Sequence, residues 1–156
     1  MSEGPVVADA SPVIALEQIG LIGVLAGLYG EVWIPPAVAG EVAPSVVLPP
    51  HISVRVLARA PEASVVAARM GPGETDALSL ALEAGARLFL VDDRKARREA
   101  ERLGISVVST PVVLVSAKQH GLVPTIRGYL DGLVNQHHLW LSPQIVDAVL
   151  RRAGEA

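Results

Sequence analysis

Short, continuous apolar runs alternate along the chain with broader apolar stripes of helical period. Val6-Val7-Ala8, Val32-Trp33-Ile34, Arg87–Val91 and Ile105–Val108 are rich in β-branched and aliphatic residues and are bounded by acids, glycine or proline. They read as strands, with Ile52–Leu57 as a further one. Between them, Ser11 followed by Pro12 reads as an N-cap opening one broad helical stripe through Val13, Leu16, Ile19, Leu21, Val24, Leu25 and Leu28, closed by Gly30. Further helices are predicted through Ala37, Val38 and Val42, over Pro61–Met70, over Glu74–Glu83 after the break Gly71-Pro72-Gly73, and over Arg94–Leu103 before Gly104. Others start near Pro111, run over Ile126–Val134, and extend from Ser142-Pro143 to Arg152, with a short strand-like Leu139–Leu141 before the last. Strands that are apolar throughout are buried on both faces. The alternation with helices therefore predicts one α/β domain: a central, mainly parallel sheet covered by helices on both sides.

Composition narrows the class. The 156 residues are 51% hydrophobic and 19% charged, with five aromatic residues and no cysteine. A disulfide scaffold, a thiol nucleophile and cysteine zinc sites are thereby excluded. Mean hydropathy is high at +0.44, yet no apolar run approaches the roughly 18 residues of a membrane span. Met1-Ser2-Glu3-Gly4-Pro5 lacks the basic start and apolar stretch of a signal peptide, so a cytoplasmic protein with no membrane partner is expected. The net charge of −3 argues against a general polyanion-binding surface. Any nucleic-acid contact must be local, and Arg94, Lys95, Arg97, Arg98 and Arg102 form the one basic cluster, which taken alone reads as a solvated helix face.

Ligands of open parallel sheets bind at the carboxyl ends of the strands. There the chain places Asp9 after the first strand and Asp92-Asp93 after the strand Leu88–Val91, on one sheet edge if those strands are neighbours. Glu74 shares a helical face with Ala77, Leu78 and Ala81, whereas Asp76 is about two residues off that face. Glu41 sits beside Val38 and Val42. Each acid has a structural explanation of its own, as a helix-terminal charge, a turn residue or a cap. Several converging carboxylates, however, need a counter-charge, and a hard divalent cation such as Mg²⁺ or Mn²⁺ supplies it through oxygen ligands alone. Phosphodiester hydrolysis is the typical chemistry of such sites. The four histidines stand in no metal-ligand spacing, the His137-His138 pair included.

Four ordered blocks resemble the PIN-domain superfamily. Asp9-Ala10-Ser11-Pro12-Val13-Ile14-Ala15-Leu16 is similar to its opening motif. Val32 to Val38 with Glu41-Val42 is similar to its second strand and the helix bearing the second acid. Gly73-Glu74-Thr75-Asp76-Ala77-Leu78, followed by Leu88–Val91 with Asp92-Asp93-Arg94-Lys95-Ala96, is similar to its third and fourth acidic blocks. The match covers roughly residues 5–120 and looks closest to the toxin-ribonuclease (VapC-like) branch. The resemblance implies a three-layer α/β/α sandwich in a single domain over 1–156, with a core of about 5–120 and a helical C-terminal extension of about 121–156. It also implies a Mg²⁺- or Mn²⁺-dependent ribonuclease. Carried over by position, Asp9, Glu41, Glu74 and Asp93 are the catalytic acids, and Asp9, Glu74, Asp92 and Asp93 hold metal. Glu74 is chosen over Asp76 for its helical facing. Ser11, Arg94, Lys95, Arg97 and Arg98 become candidates for substrate binding, with RNA as substrate. A small antitoxin protein and a homodimeric state are the implied partners. The usual aromatic residue after the last acid is replaced by Ala96, and Trp140 lies outside the motif.

The competing expectation is a catalytically silent module of the same fold that binds RNA or protein. Self-repelling acids argue against it, because a binding protein gains nothing by keeping them. A receiver domain would carry its acidic pair after the first strand, the reverse of the order here. A topoisomerase-primase-type site needs Asp-x-Asp rather than adjacent Asp92-Asp93. No G-x-G-x-x-G follows the first strand, which argues against a dinucleotide enzyme.

Overall fold

The structure, a computed structural model, describes residues 3–136 and 139–156. Five strands are present: β1 (Val6–Ala8), β2 (Val32–Ile34), β3 (Ile52–Val54), β4 (Leu88–Leu90) and β5 (Val107–Val108). Every pairing is parallel, and the order across the sheet is β3-β2-β1-β4-β5. Val6, Val7, Ala8, Phe89 and Leu90 are all essentially inaccessible, as continuous apolar strands between two helical layers must be. The fold is therefore a three-layer α/β/α sandwich, as the alternation predicts.

Nine helices lie among the described residues: α1 (Ala10–Gln18), α2 (Val24–Tyr29), α3 (Pro36–Val42), α4 (Ala63–Ala67), α5 (Pro72–Ala84), α6 (Arg94–Arg102), α7 (Thr110–Gln119), α8 (Arg127–Gln136) and α9 (Pro143–Arg152). None is long and apolar enough to cross a membrane.

The local signals mark most of these elements but misplace four details. The stripe from Ser11 to Leu28 is two helices, α1 and α2, separated at Gly20. That residue takes φ 76°, in the left-handed region where glycine carries no steric penalty. Residue Asp9, not Ser11, occupies the N-cap position of α1. Helix α5 begins at Pro72, because proline lacks the N–H that a first-turn residue would leave unpaired. Leu139–Leu141 joins no strand; it is an irregular segment whose Leu139 and Leu141 pack against the hydrophobic core.

Chain order around the sheet positions everything that follows. From β1 the chain moves outward through β2 to β3, then returns to the other side of β1 as β4 and continues to β5. The strand order reverses between β1 and β4, and the crevice beyond the carboxyl ends at such a switch point is where open α/β sheets bind ligands. Asp9 and Asp92 stand on its two sides.

Candidate active site

Register brings the first acid to that crevice. Ala8 pairs with Leu90, and one residue further the Asp9 backbone N–H donates to the Leu90 carbonyl at 2.9 Å. An aspartate at an N-cap ordinarily accepts a bond from the first turn of its helix. Asp9 makes no such side-chain bond, is only 3% exposed, and its Oδ1 is buried without a partner among the described residues. Its pKa is pushed from 3.8 up to about 7. Burial is the main cause; the backbone N–H of Ala10 opposes it, and the charges of Glu74, Glu41 and Asp92 add to it. An orphaned, buried carboxylate oxygen is costly, and native proteins seldom keep one without a use.

The two glutamates come from helices that pack on each other, α3 and α5. The Gly71-Pro72-Gly73 turn makes room for both. A Cβ at Gly73 would collide with the Glu41 carboxylate, and one at Gly71 would lie 2.5 Å from Glu74 Oε2. Among the carboxylates acting on Asp9, the third block contributes Glu74 and not Asp76.

The adjacent pair Asp92-Asp93 divides. Successive residues of an extended segment point to opposite sides, so one strand end presents only one of them to the crevice. Asp92 Oδ1 accepts the Thr110 backbone N–H at 2.7 Å, and its Oδ2 accepts the Thr110 hydroxyl at 2.6 Å. Burial raises its pKa, against the opposing pull of those two bonds, of Arg97 and of the Ser11 hydroxyl. Asp93 is exposed and caps α6, its carboxylate accepting the Ala96 N–H at 2.9 Å. Asp9, Glu41, Glu74 and Asp92 are thus brought into one electrostatic group, whereas Asp93 is engaged by its helix.

Thr110 was not among the expected residues. It is fully buried at the first position of α7 and fixes Asp92 through two donors. The available signal was a Ser-Thr-Pro helix start after a strand, hence at the same edge as the acids. Gly73 is the other omission, since a small residue beside a functional acid leaves no chemical signature of its own.

The basic helix also divides. Arg94 and Arg97 line a pocket that includes Asp92, while Lys95 and Arg98 are exposed and outside that lining. Ser11 is exposed beside Asp92. His51 and His120 bond to the carbonyls of Ile22 and Ser116 at 3.2 and 2.8 Å; His137 and His138 lie outside the described residues.

The donor set suits a hard divalent cation: carboxylate oxygens only, one of them buried and unpaired, in a cluster whose mutual repulsion raises Asp9. Among the described residues, no three carboxylate or imidazole side chains stand close enough to hold an ion as a ready-made set. A family model for the PIN domain matches residues 5–155. No curated protein matches the chain.

Proposed function

The chain belongs to the PIN-domain family, whose members are commonly nucleases, and from that premise we propose that it is a metal-dependent endoribonuclease acting at the carboxyl edge of its sheet. The observation that carries the reading is Asp9, a carboxylate held at the topological switch point with a buried, unpartnered oxygen in the field of three other acids. Mg²⁺ or Mn²⁺ bound there would lower the pKa of an attacking water and offset the charge that builds on the phosphoryl group.

In this assignment Asp9, Glu74 and Asp92 hold the cation, and Glu41, beside Gly73, completes the acidic set. Asp92 takes the place that position alone would give to Asp93, because Asp93 is engaged in capping α6. Thr110 keeps the Asp92 carboxylate oriented with two donors, and Ser11 supports its ionised form. Arg94 and Arg97 hold the substrate phosphates next to the acids, with Lys95 and Arg98 adding outer positive charge that draws RNA toward an otherwise repulsive edge. A role as the toxin of a toxin–antitoxin pair, a small antitoxin partner, a homodimeric state and a cytoplasmic location belong to the same reading, and rest on the resemblance to the VapC-like branch.

One observation favours a second reading, a catalytically silent module that binds RNA or protein: three metal ligands do not stand assembled among the described residues. The two separate in one experiment. A panel of structured and single-stranded RNAs is incubated with Mn²⁺ or Mg²⁺, with and without chelator, using the wild type and Asp9→Asn. The ribonuclease reading expects metal-dependent cleavage that falls by at least about 100-fold in the variant, the scale seen when a key electrostatic group is removed. RNA retained without cleavage by either protein would support the silent module.

A further inference from the structure

The acidic edge leaves one neighbouring feature without a role. A cavity of about 210 Å³ opens between the start of α6, the turn into α7 and the irregular segment before α9. Arg94, Arg97 and Asp92 line it together with Leu139, Trp140 and Leu141. Its chemistry is two-sided. Trp140 leaves 77% of its surface exposed, an unfavourable position for the largest aromatic side chain in a chain with only five aromatic residues. On the basic side, Arg97 Nε is buried and has no hydrogen-bond partner among the described residues.

An occupant that fits this lining must present a flat ring to the indole and an anionic acceptor to the guanidinium groups of Arg94 and Arg97. It must also run continuously past Asp92, which lines the same cavity. One nucleotide of a single-stranded RNA meets all three conditions. Its base stacks on an aromatic face whatever its identity, its phosphate matches the planar fork of an arginine, and its backbone continues to the next phosphate. A base-paired strand does not, because its bases are already stacked. We propose that this cavity is a nucleotide subsite, in which Trp140 stacks one unpaired base beside the scissile position and Arg97, with Arg94, binds that nucleotide's phosphate. The subsite rests on the ribonuclease reading for the direction of the strand past Asp92.

The test separates the subsite from the catalytic reading by removing metal. Trp33→Phe leaves Trp140 as the sole tryptophan. In that background and in excess chelator, penta-adenylate RNA is titrated while indole emission is followed. Affinity is measured in parallel by the anisotropy of the fluorescein-labelled oligonucleotide. The subsite predicts quenching on binding, affinity reduced about tenfold in Trp140→Ala, and affinity retained within about twofold in Trp140→Phe. Arg94→Gln should weaken binding and lower the salt dependence by about one phosphate contact. Unchanged affinity in Trp140→Ala, or duplex RNA binding as tightly and quenching as strongly, would overturn the subsite even if Mn²⁺-dependent cleavage persists. Quenching by an acidic, leucine-rich peptide and none by the oligonucleotide would overturn it in favour of a protein partner. Oligonucleotide binding that depends on Trp140, without cleavage when metal is restored, would uphold the subsite while the ribonuclease reading fails.

Discussion

Asp9 follows β1 and Glu31 precedes the neighbouring β2, so two carboxylates mark opposite ends of adjacent strands, and the fold treats them in opposite ways. Glu31 is exposed and surrounded by donors: the indole N–H of Trp33, the Ser53 hydroxyl at 3.2 Å, and the Arg55 guanidinium at 3.3 Å, which itself lies 4.4 Å from the Trp33 ring centre. Led by the Trp33 bond, these partners hold its pKa below the ordinary glutamate value. Asp9 is buried among carboxylates, with an oxygen that nothing in the described chain satisfies. A carboxylate that serves the fold collects donors, because its charge is then stabilised by the chain that carries it. One that is buried, repelled and left unpaired destabilises the fold that keeps it. Local rules broken in this way are expected at functional sites.

The largest test of that contrast is thermodynamic. Holding the Asp9 carboxyl at about 7 in the folded chain, against 3.8 free, costs the ionised fold roughly 4 kcal/mol. The raised pKa fixes the sign. Below about pH 4 both folded and unfolded chains carry the proton and the penalty is absent; it accumulates as pH rises toward 7 and is complete above that. Asp9→Asn in chelator should therefore raise the melting temperature at pH 8, by about 10 °C, and leave it nearly unchanged at pH 4. Melts at the two pH values check this, and equal shifts at both would break the contrast.

Asp92 and Asp93 sharpen it within two adjacent residues. Asp92→Asn is expected to lower RNA cleavage about 100-fold. Asp93→Asn should cost less than about tenfold in cleavage but about 1 kcal/mol or less in stability through its cap. Reversed cleavage effects would return the fourth catalytic position to Asp93. Gly73→Ala is the next smaller step. Alanine favours the helix by up to about 1 kcal/mol over glycine, yet its Cβ would displace the Glu41 carboxylate. Cleavage should fall about tenfold in a protein no less stable, as paired activity and melting measurements would show. Glu31→Gln closes the series. Its exposed network should yield the smallest change, a melting shift near experimental scatter with cleavage unaltered. A loss of cleavage there would mean that the two strand ends are coupled.

Much of this site is legible from strand ends alone. Asp9 and Asp92-Asp93 follow buried apolar runs, and any parallel sheet delivers such residues to its carboxyl edge. The α5 stripe sets Glu74 apart from Asp76, and of these two Glu74 is the one whose charge raises Asp9, together with Glu41 and Asp92. The division of Asp92 from Asp93 was not legible, since two identical neighbours differ only in the side of the strand to which register assigns them. Thr110 was hidden for a related reason: Ser-Thr-Pro reads as an ordinary helix start until β5 is laid beside β4. The apolar stripe from Val13 to Leu28 misled because a break at Gly20 preserves the helical period on both sides.

By itself the sequence determined the class of architecture and the chemical type of the site. Continuous apolar strands alternating with helices can bury their surfaces only as a covered parallel sheet. Four ordered acidic blocks, without cysteine and with no histidine at metal-ligand spacing, make carboxylate oxygen the expected donor. Those properties are local, carried by period, composition and the residue at each strand end. Tertiary structure alone decided which carboxylates share a field, which one is orphaned, how Gly73 accommodates Glu41, and that Trp140 lines one cavity with Arg97 and Asp92. These depend on strand order, register and helix packing, which join residues about 30 to 80 positions apart that no local pattern relates.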